Sequence, residues 1–139
     1  MIRLEKHDVI GLDLDNTLIE GRNSRLLWQF IKEHPEKKFW IITFRTGLLA
    51  KEQTIWDEIR DFSGLDSSWF EGIQTVDEQT YLKANINKSI PNINDYIKWK
   101  GKTCKELGCT VLVDDMPEMT KYGCDLYSVD FVDSRTLRI

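Results

Sequence analysis

Three short apolar runs in this chain each break off into residues able to do chemistry, and that pattern constrains the fold more than any other. The first, Val9-Ile10-Gly11-Leu12, runs into Asp13 and Asp15, two carboxylates spaced i, i+2, with Asn16 and Thr17 behind them. The second, in the stretch Lys37-Lys38-Phe39-Trp40-Ile41-Ile42-Thr43-Phe44, has Thr43 and Arg45 at its exit, and the third, Thr110-Val111-Leu112-Val113, ends in Asp114 and Asp115. Short apolar runs bounded by turn residues read as buried strands. A buried strand has no structural use for two carboxylates at its end, because unpaired buried charge is costly. A divalent cation is the simplest partner for them.

The segments between the runs carry helical spacing. Glu20 to Ser24 reads as a loop ending in a helix N-cap; Leu26, Leu27, Phe30 and Ile31 then share one face, and His34-Pro35 stops the element. Leu48, Leu49, Ile55, Trp56, Ile59 and Phe62 form a second apolar stripe, closed at Ser63-Gly64. Ile93, Ile97, Lys100, Cys104 and Leu107 follow at spacings of 4, 3, 4 and 3, with Gly108 as the cap. Met116 to Met119 start a short helix or turn, and Leu126 to Val132 reads as a last strand before a polar tail. The stretch from Leu65 to Pro91 is the least legible, with a short strand or flap in Trp69–Val76 and a helix over Asp77–Ala84. Alternation of strand and helix predicts an α/β, three-layer Rossmannoid fold around a central, mostly parallel sheet. At 139 residues, with no repeat or linker, residues 1–139 read as a single domain.

Composition narrows the function classes. The net charge of -4 disfavours nucleic-acid binding by bulk electrostatics, although it leaves room for a local basic patch. Cys104, Cys109 and Cys124 lack a disulfide rhythm and read as core thiols in a reducing compartment. His7 and His34 do not supply the close spacing a zinc site needs. No run approaches membrane-spanning length and the first residues hold no apolar signal core, so the expected location is the cytoplasm.

In an open parallel sheet, ligands bind at the carboxyl ends of the strands, where strand order reverses. The polar ends of all three runs should therefore meet in one crevice. Lys100 belongs with them: its companions on the helix face are mostly apolar, whereas Lys98 and Lys102 fall off the stripe. An inward lysine needs an anion beside it, and the aspartates or a bound phosphate would supply one.

Asp13-Leu14-Asp15-Asn16-Thr17, a strand ending in Thr43, then Lys100, then Asp114-Asp115 resemble the four ordered motifs of the haloacid dehalogenase (HAD) superfamily, over residues 9 to 119. The resemblance implies Asp13 as the nucleophile that forms an aspartyl-phosphate and Asp15 as the general acid and base. It implies that Thr43 bonds the phosphoryl oxygens and that Lys100 holds Asp13 and the phosphate together. Mg²⁺ would lie between Asp13, the Asp15 backbone carbonyl and an acid of the last motif, with Asp115 preferred as direct ligand and Asp114 behind it or acting through water. Asn16 stands where Gly is frequent, a change compatible with the turn because Asn also accepts turn conformations. Asn16 lies among the substrate-binding candidates with Thr43 and Arg45, whose Thr43-Phe44-Arg45 arrangement resembles nucleotidase-like and polynucleotide 3'-phosphatase-like branches.

Elementary chemistry agrees with these roles. A carboxylate attacks a phosphate dianion only where cationic charge offsets the repulsion, and Mg²⁺ favours a few carboxylates, phosphate and water. An EF-hand loop would need Gly where Leu18 stands. A receiver domain holds similar parts in a different chain order. Too few residues separate the first two motifs for a large cap, and the 56 residues between Thr43 and Lys100 leave space for a small flap at most. The expected function is a Mg²⁺-dependent phosphomonoester hydrolase acting on a phosphorylated substrate. The alternatives are a nucleic-acid end-processing 3'-phosphatase or nucleotidase, and a catalytically silent binding or regulatory domain of the same fold.

Overall fold

In the computed structural model, which describes residues 3–139, five strands lie in the order β3-β2-β1-β4-β5. They are β1 (Val9–Leu12), β2 (Lys38–Thr43), β3 (Gly72–Thr75), β4 (Val111–Asp114) and β5 (Asp130–Asp133), and every neighbouring pair is parallel. Five helices connect and flank them: α1 (Ser24–Glu33), α2 (Glu52–Ser63), α3 (Glu78–Ile86), α4 (Ile90–Leu107) and α5 (Pro117–Leu126). The architecture is the expected α/β Rossmann-like sandwich, with helices on both faces of the sheet.

Alternation along the strands builds the two cores. Ile10 and Leu12 pair in register with Phe39 and Ile41 on one side and with Val111 and Val113 on the other. These six side chains face α1 and α2, where Phe30, Ile31, Ile55 and Ile59 complete one apolar layer. Ile42 and Leu112 point the opposite way and pack with Cys104 of α4 and Cys124 of α5. Full burial of side chains of this size contributes about 1.5–3 kcal/mol each, which outweighs the modest helix propensity of the segments. Cys104, Cys109 and Cys124 are free and buried. No helix among the described residues is long and apolar enough to cross a membrane.

The helices α4 and α5 approach until their backbones touch. A β-carbon at Gly101 would fall 2.3 Å from the carbonyl carbon of Gly123, and one at Gly123 would fall 2.9 Å from the Cα of Lys98. Only glycine permits that crossing. It fixes the height of Lys100, the neighbour of Gly101, against the sheet.

Several expectations need correction. Ser24 is the first residue of α1, not its cap; its hydroxyl instead accepts from Gly21 N and donates to Thr17 O. Leu48 and Leu49 lie in a separate 3-10 turn and are 73% and 60% exposed, so the buried stripe of α2 shrinks to Ile55 and Ile59. Leu126 closes α5, because the last strand begins only at Asp130. The polar tail after the last strand packs in part, with Ser134 and Leu137 buried. By contrast, the short strand and the helix expected between Trp69 and Ala84 are present, as β3, the outer strand beside β2, and as α3, capped by Asp77 accepting from Thr80 N.

Candidate active site

Strand order reverses between β1 and β4, since the chain moves outward through β2 and β3 and then returns to the far side of β1. A crevice at that point is the usual ligand position in such sheets. Here a cavity of about 340 Å³ opens there, with Asp13, Asp15, Thr43, Lys100, Asp114 and Asp115 in its wall. The three polar strand ends do converge.

The turn after β1 sets Asp13 and Asp15 apart. Asp13 N still donates to Val113 O at 2.9 Å, carrying the β1–β4 ladder one residue beyond the strand. The chain then folds back, with Leu18 N and Ile19 N donating to Asp13 O and Leu14 O at 3.2 and 3.0 Å. Asn16 takes φ 59, a left-handed conformation Asn tolerates, and its exposed side chain stands at the cavity rim. Gly21 passes so close that a β-carbon would lie 2.4 Å from Asn16 O.

Asp13 and Lys100 form the buried centre. Lys100 Nζ donates to Asp13 Oδ1 at 2.6 Å and to Asp114 Oδ2 at 2.7 Å, with its side chain only 2% exposed. The other Asp13 oxygen accepts from Thr17 Oγ1 at 3.1 Å, and the second Asp114 oxygen accepts from Met116 N at 2.9 Å. Lys98 and Lys102 line a different cavity, so Lys100 alone of the three lysines reaches the acids.

One ammonium between two carboxylates, with Asp115 nearby, leaves an excess of buried negative charge. Burial pushes the Asp13 carboxyl up to about 6, opposed by Lys100 and reinforced by Asp115. Burial also raises Asp114 against the pull of Lys100. Burial by itself would lower the Lys100 ammonium, but Asp13 and Asp114 overcome it and hold Lys100 charged. Asp13, Asp114 and Asp115 can each bring one carboxylate oxygen within 4.8 Å of the others. An all-oxygen, net-negative donor set of this kind fits a hard divalent cation such as Mg²⁺. Asp115 is the most loosely held of the three, with Thr17 Oγ1 3.5 Å from its Oδ1, whereas both Asp114 oxygens are engaged. The Asp15 side chain stands outside that trio.

Asp15 faces Arg45 instead. Arg45 Nε and Nη2 donate to Asp15 Oδ2 and Oδ1 at 3.0 and 2.7 Å in a two-pronged fork. Arg45 Nη1 is held by Glu58 of α2 and by Leu49 O at 3.2 Å. These contacts, the Asp15 bonds first, raise the guanidinium further above its already high value. Arg45, expected at the substrate, thus lines the cavity with each of its side-chain nitrogens donating to a protein oxygen. Thr43 is buried, and its hydroxyl accepts from Arg45 N at 3.1 Å. The Thr43 proton therefore remains to donate to a bound oxygen.

Some participants were not legible in the sequence. Ser134 Oγ lies 3.2 Å from Thr17 Oγ1, and Ser134 O accepts from the Asn23 amide at 2.7 Å, so the C-terminal turn steadies the Asp13 turn. Glu58 anchors Arg45, and Phe44 and Tyr96 stack at the cavity wall, 4.4 Å between centroids. Thr17, four residues after Asp13, was visible in the motif; nothing local marks Ser134 or Glu58. No family model matches this chain, and no curated protein or solved structure shows significant similarity to it.

Proposed function

We propose that this protein is a Mg²⁺-dependent phosphomonoester hydrolase of the HAD type, working through an aspartyl-phosphate on Asp13. The observation that carries the reading is the shared Lys100 ammonium. It sits 2.6 Å from Asp13 and 2.7 Å from Asp114, beneath a cavity at the switch point of a parallel sheet. A buried lysine against two carboxylates has little value for stability alone, since apolar residues of similar volume would often serve as well. Its use is electrostatic: it orients the Asp13 carboxylate and offsets the charge of an incoming phosphoryl group.

The steps follow from the side chains. An Asp13 oxygen attacks phosphorus while the ester P–O bond breaks, and Thr43 donates its free proton as a hydrogen bond to a phosphoryl oxygen. The departing alcohol oxygen takes a proton from Asp15. Asp15, now a carboxylate, removes a proton from water; the water oxygen attacks phosphorus, the bond to Asp13 breaks, and inorganic phosphate leaves. Mg²⁺ held by Asp13 and Asp115, with Asp114 behind, would supply Lewis-acid neutralisation of the phosphoryl oxygens. For Asp15 to exchange protons, the Arg45 fork must release one oxygen, and Glu58 keeps the guanidinium in place while it does so. Free core thiols suit a reducing compartment such as the cytoplasm.

The Arg45 fork is also the observation favouring a silent binding domain, since it occupies both Asp15 oxygens. Phosphate release from an aryl phosphate with and without Mg²⁺ separates the readings. Mg²⁺-dependent release that disappears in Asp13→Asn is expected. No release at saturating Mg²⁺ would favour the silent domain.

A further inference from the structure

We infer that the site selects a small monophosphate ester whose alcohol is uncharged and carries a flat apolar group; this rests on the phosphatase reading and deepens it. Beyond the reacting carboxylates, the cavity wall is made by Phe44, Tyr96, Met116 and Met119. These come from the ends of β2 and β4, the two strands that flank β1, and from α4 and α5.

The aromatic part is a built surface. Phe44 stacks on Tyr96 with 26° between their planes, and Trp99 supports it at 5.7 Å. Tyr81 of α3 abuts Tyr96 edge-on at 6.1 Å. Lys100 Nζ lies 4.8 Å from the Phe44 centroid, tying this wall to the ion-pair centre. Methionine supplies the adaptable remainder, since thioethers fit irregular apolar shapes and make favourable contacts with aromatic rings.

Charge sets the second half of the selection. Among the described residues, Arg45 and Lys100 are the cations in the wall, and both are paired there: Lys100 with Asp13 and Asp114, Arg45 with Asp15, Glu58 and Leu49 O. That leaves no unpaired cation in the wall for a second phosphate or a substrate carboxylate, and four aspartates would repel one. Nucleic-acid ends, nucleoside polyphosphates and bisphosphates are disfavoured on that ground. Sugar phosphates are disfavoured on another, because their hydroxyls would lose water against an apolar wall. There Thr120 already gives its proton to Met116 O. The volume of about 340 Å³ lies near the small end of ligand pockets, which run roughly 300–1,000 Å³.

The test is binding of benzylphosphonate, which cannot be hydrolysed, against methylphosphonate, by calorimetry on the full chain with Mg²⁺. Benzylphosphonate is expected to bind at least about tenfold tighter. Met119→Ala and Tyr96→Ala should narrow the gap below about threefold, while Tyr96→Phe, which keeps the ring, should retain it. Equal affinities, or no measurable binding of either, would overturn the inference. Turnover of benzyl phosphate and glycerol 3-phosphate, both esters of alkyl alcohols, is followed in parallel. An intact affinity gap without turnover of either ester refutes hydrolysis and leaves the selective wall standing. Equal turnover with equal affinity refutes the wall and leaves hydrolysis standing.

Discussion

Replacing Lys100 by methionine keeps the length and packing of the side chain but removes its charge. In the folded protein it would leave Asp13 and Asp114, 7% and 1% exposed, facing each other without the ammonium that both accept from. Breaking a buried ion pair by removing one partner typically costs about 3–5 kcal/mol. A domain of this size is stable by roughly 7–20 kcal/mol, so the variant should still fold. Its Tm should fall by roughly 10 °C, at about 2–4 °C per kcal/mol. The loss should depend on pH in a definite direction. Burial already raises both carboxyls despite Lys100, and without it they rise further above their unfolded value of about 3.9. Groups raised on folding cost nothing below their unfolded pKa and cost more as pH climbs through the folded one. The gap between wild type and Lys100→Met should therefore be wide at pH 7 and shrink toward pH 4. Thermal melts followed by circular dichroism across that range measure it. A variant melting within about 2 °C of wild type at pH 7, or a gap that widens on acidification, would refute this electrostatic account.

Three further outcomes are expected. Gly101→Ala should destabilise by about 1–3 kcal/mol in chemical denaturation, since its β-carbon meets the Gly123 backbone at 2.3 Å. Mg²⁺ at a hundredfold its dissociation constant should stabilise wild type by about 2.7 kcal/mol, and the same Mg²⁺ concentration should give less than half of that in Asp115→Asn. Burial pushes the Cys124 thiol up to about 12, and a hydrogen bond with Cys109, followed by burial, raises Cys104 well above its ordinary value. Thiol reagents at pH 8 should therefore label the native chain slowly, and label Cys104, Cys109 and Cys124 fully only in guanidinium.

The parallel sheet and the meeting of Asp13, Thr43, Lys100 and Asp114 were legible because each depends on a local signal. An apolar run marks the strand, and topology does the rest. What stayed obscure depends on contacts distant in sequence or on weak local pattern. β3 has four residues and buries only Ile73, too little for alternation to register. α3 buries only Ala84, and α5 buries Thr120, Gly123 and Cys124, small residues that leave no apolar stripe. Pro91, the end of the least legible stretch, sits in the first turn of α4, where a missing N–H costs nothing. Arg45 was recognisable as a cation at the site. That Asp15 and Glu58 take up its donors follows only from how α2 docks beside β2.

The claim that Asp13 is the nucleophile is tested most directly by trapping its phosphorylated form. Asp15→Asn lacks the base for the second step, whereas dinitrophenyl phosphate has a leaving group acidic enough to depart without a proton. Incubated with radiolabelled dinitrophenyl phosphate and Mg²⁺, then quenched in acid, Asp15→Asn should hold label that hydroxylamine releases and that maps to Asp13. The label should vanish when Asp13→Asn is added. Wild-type turnover without any such label in Asp15→Asn, or label on another residue, would contradict it.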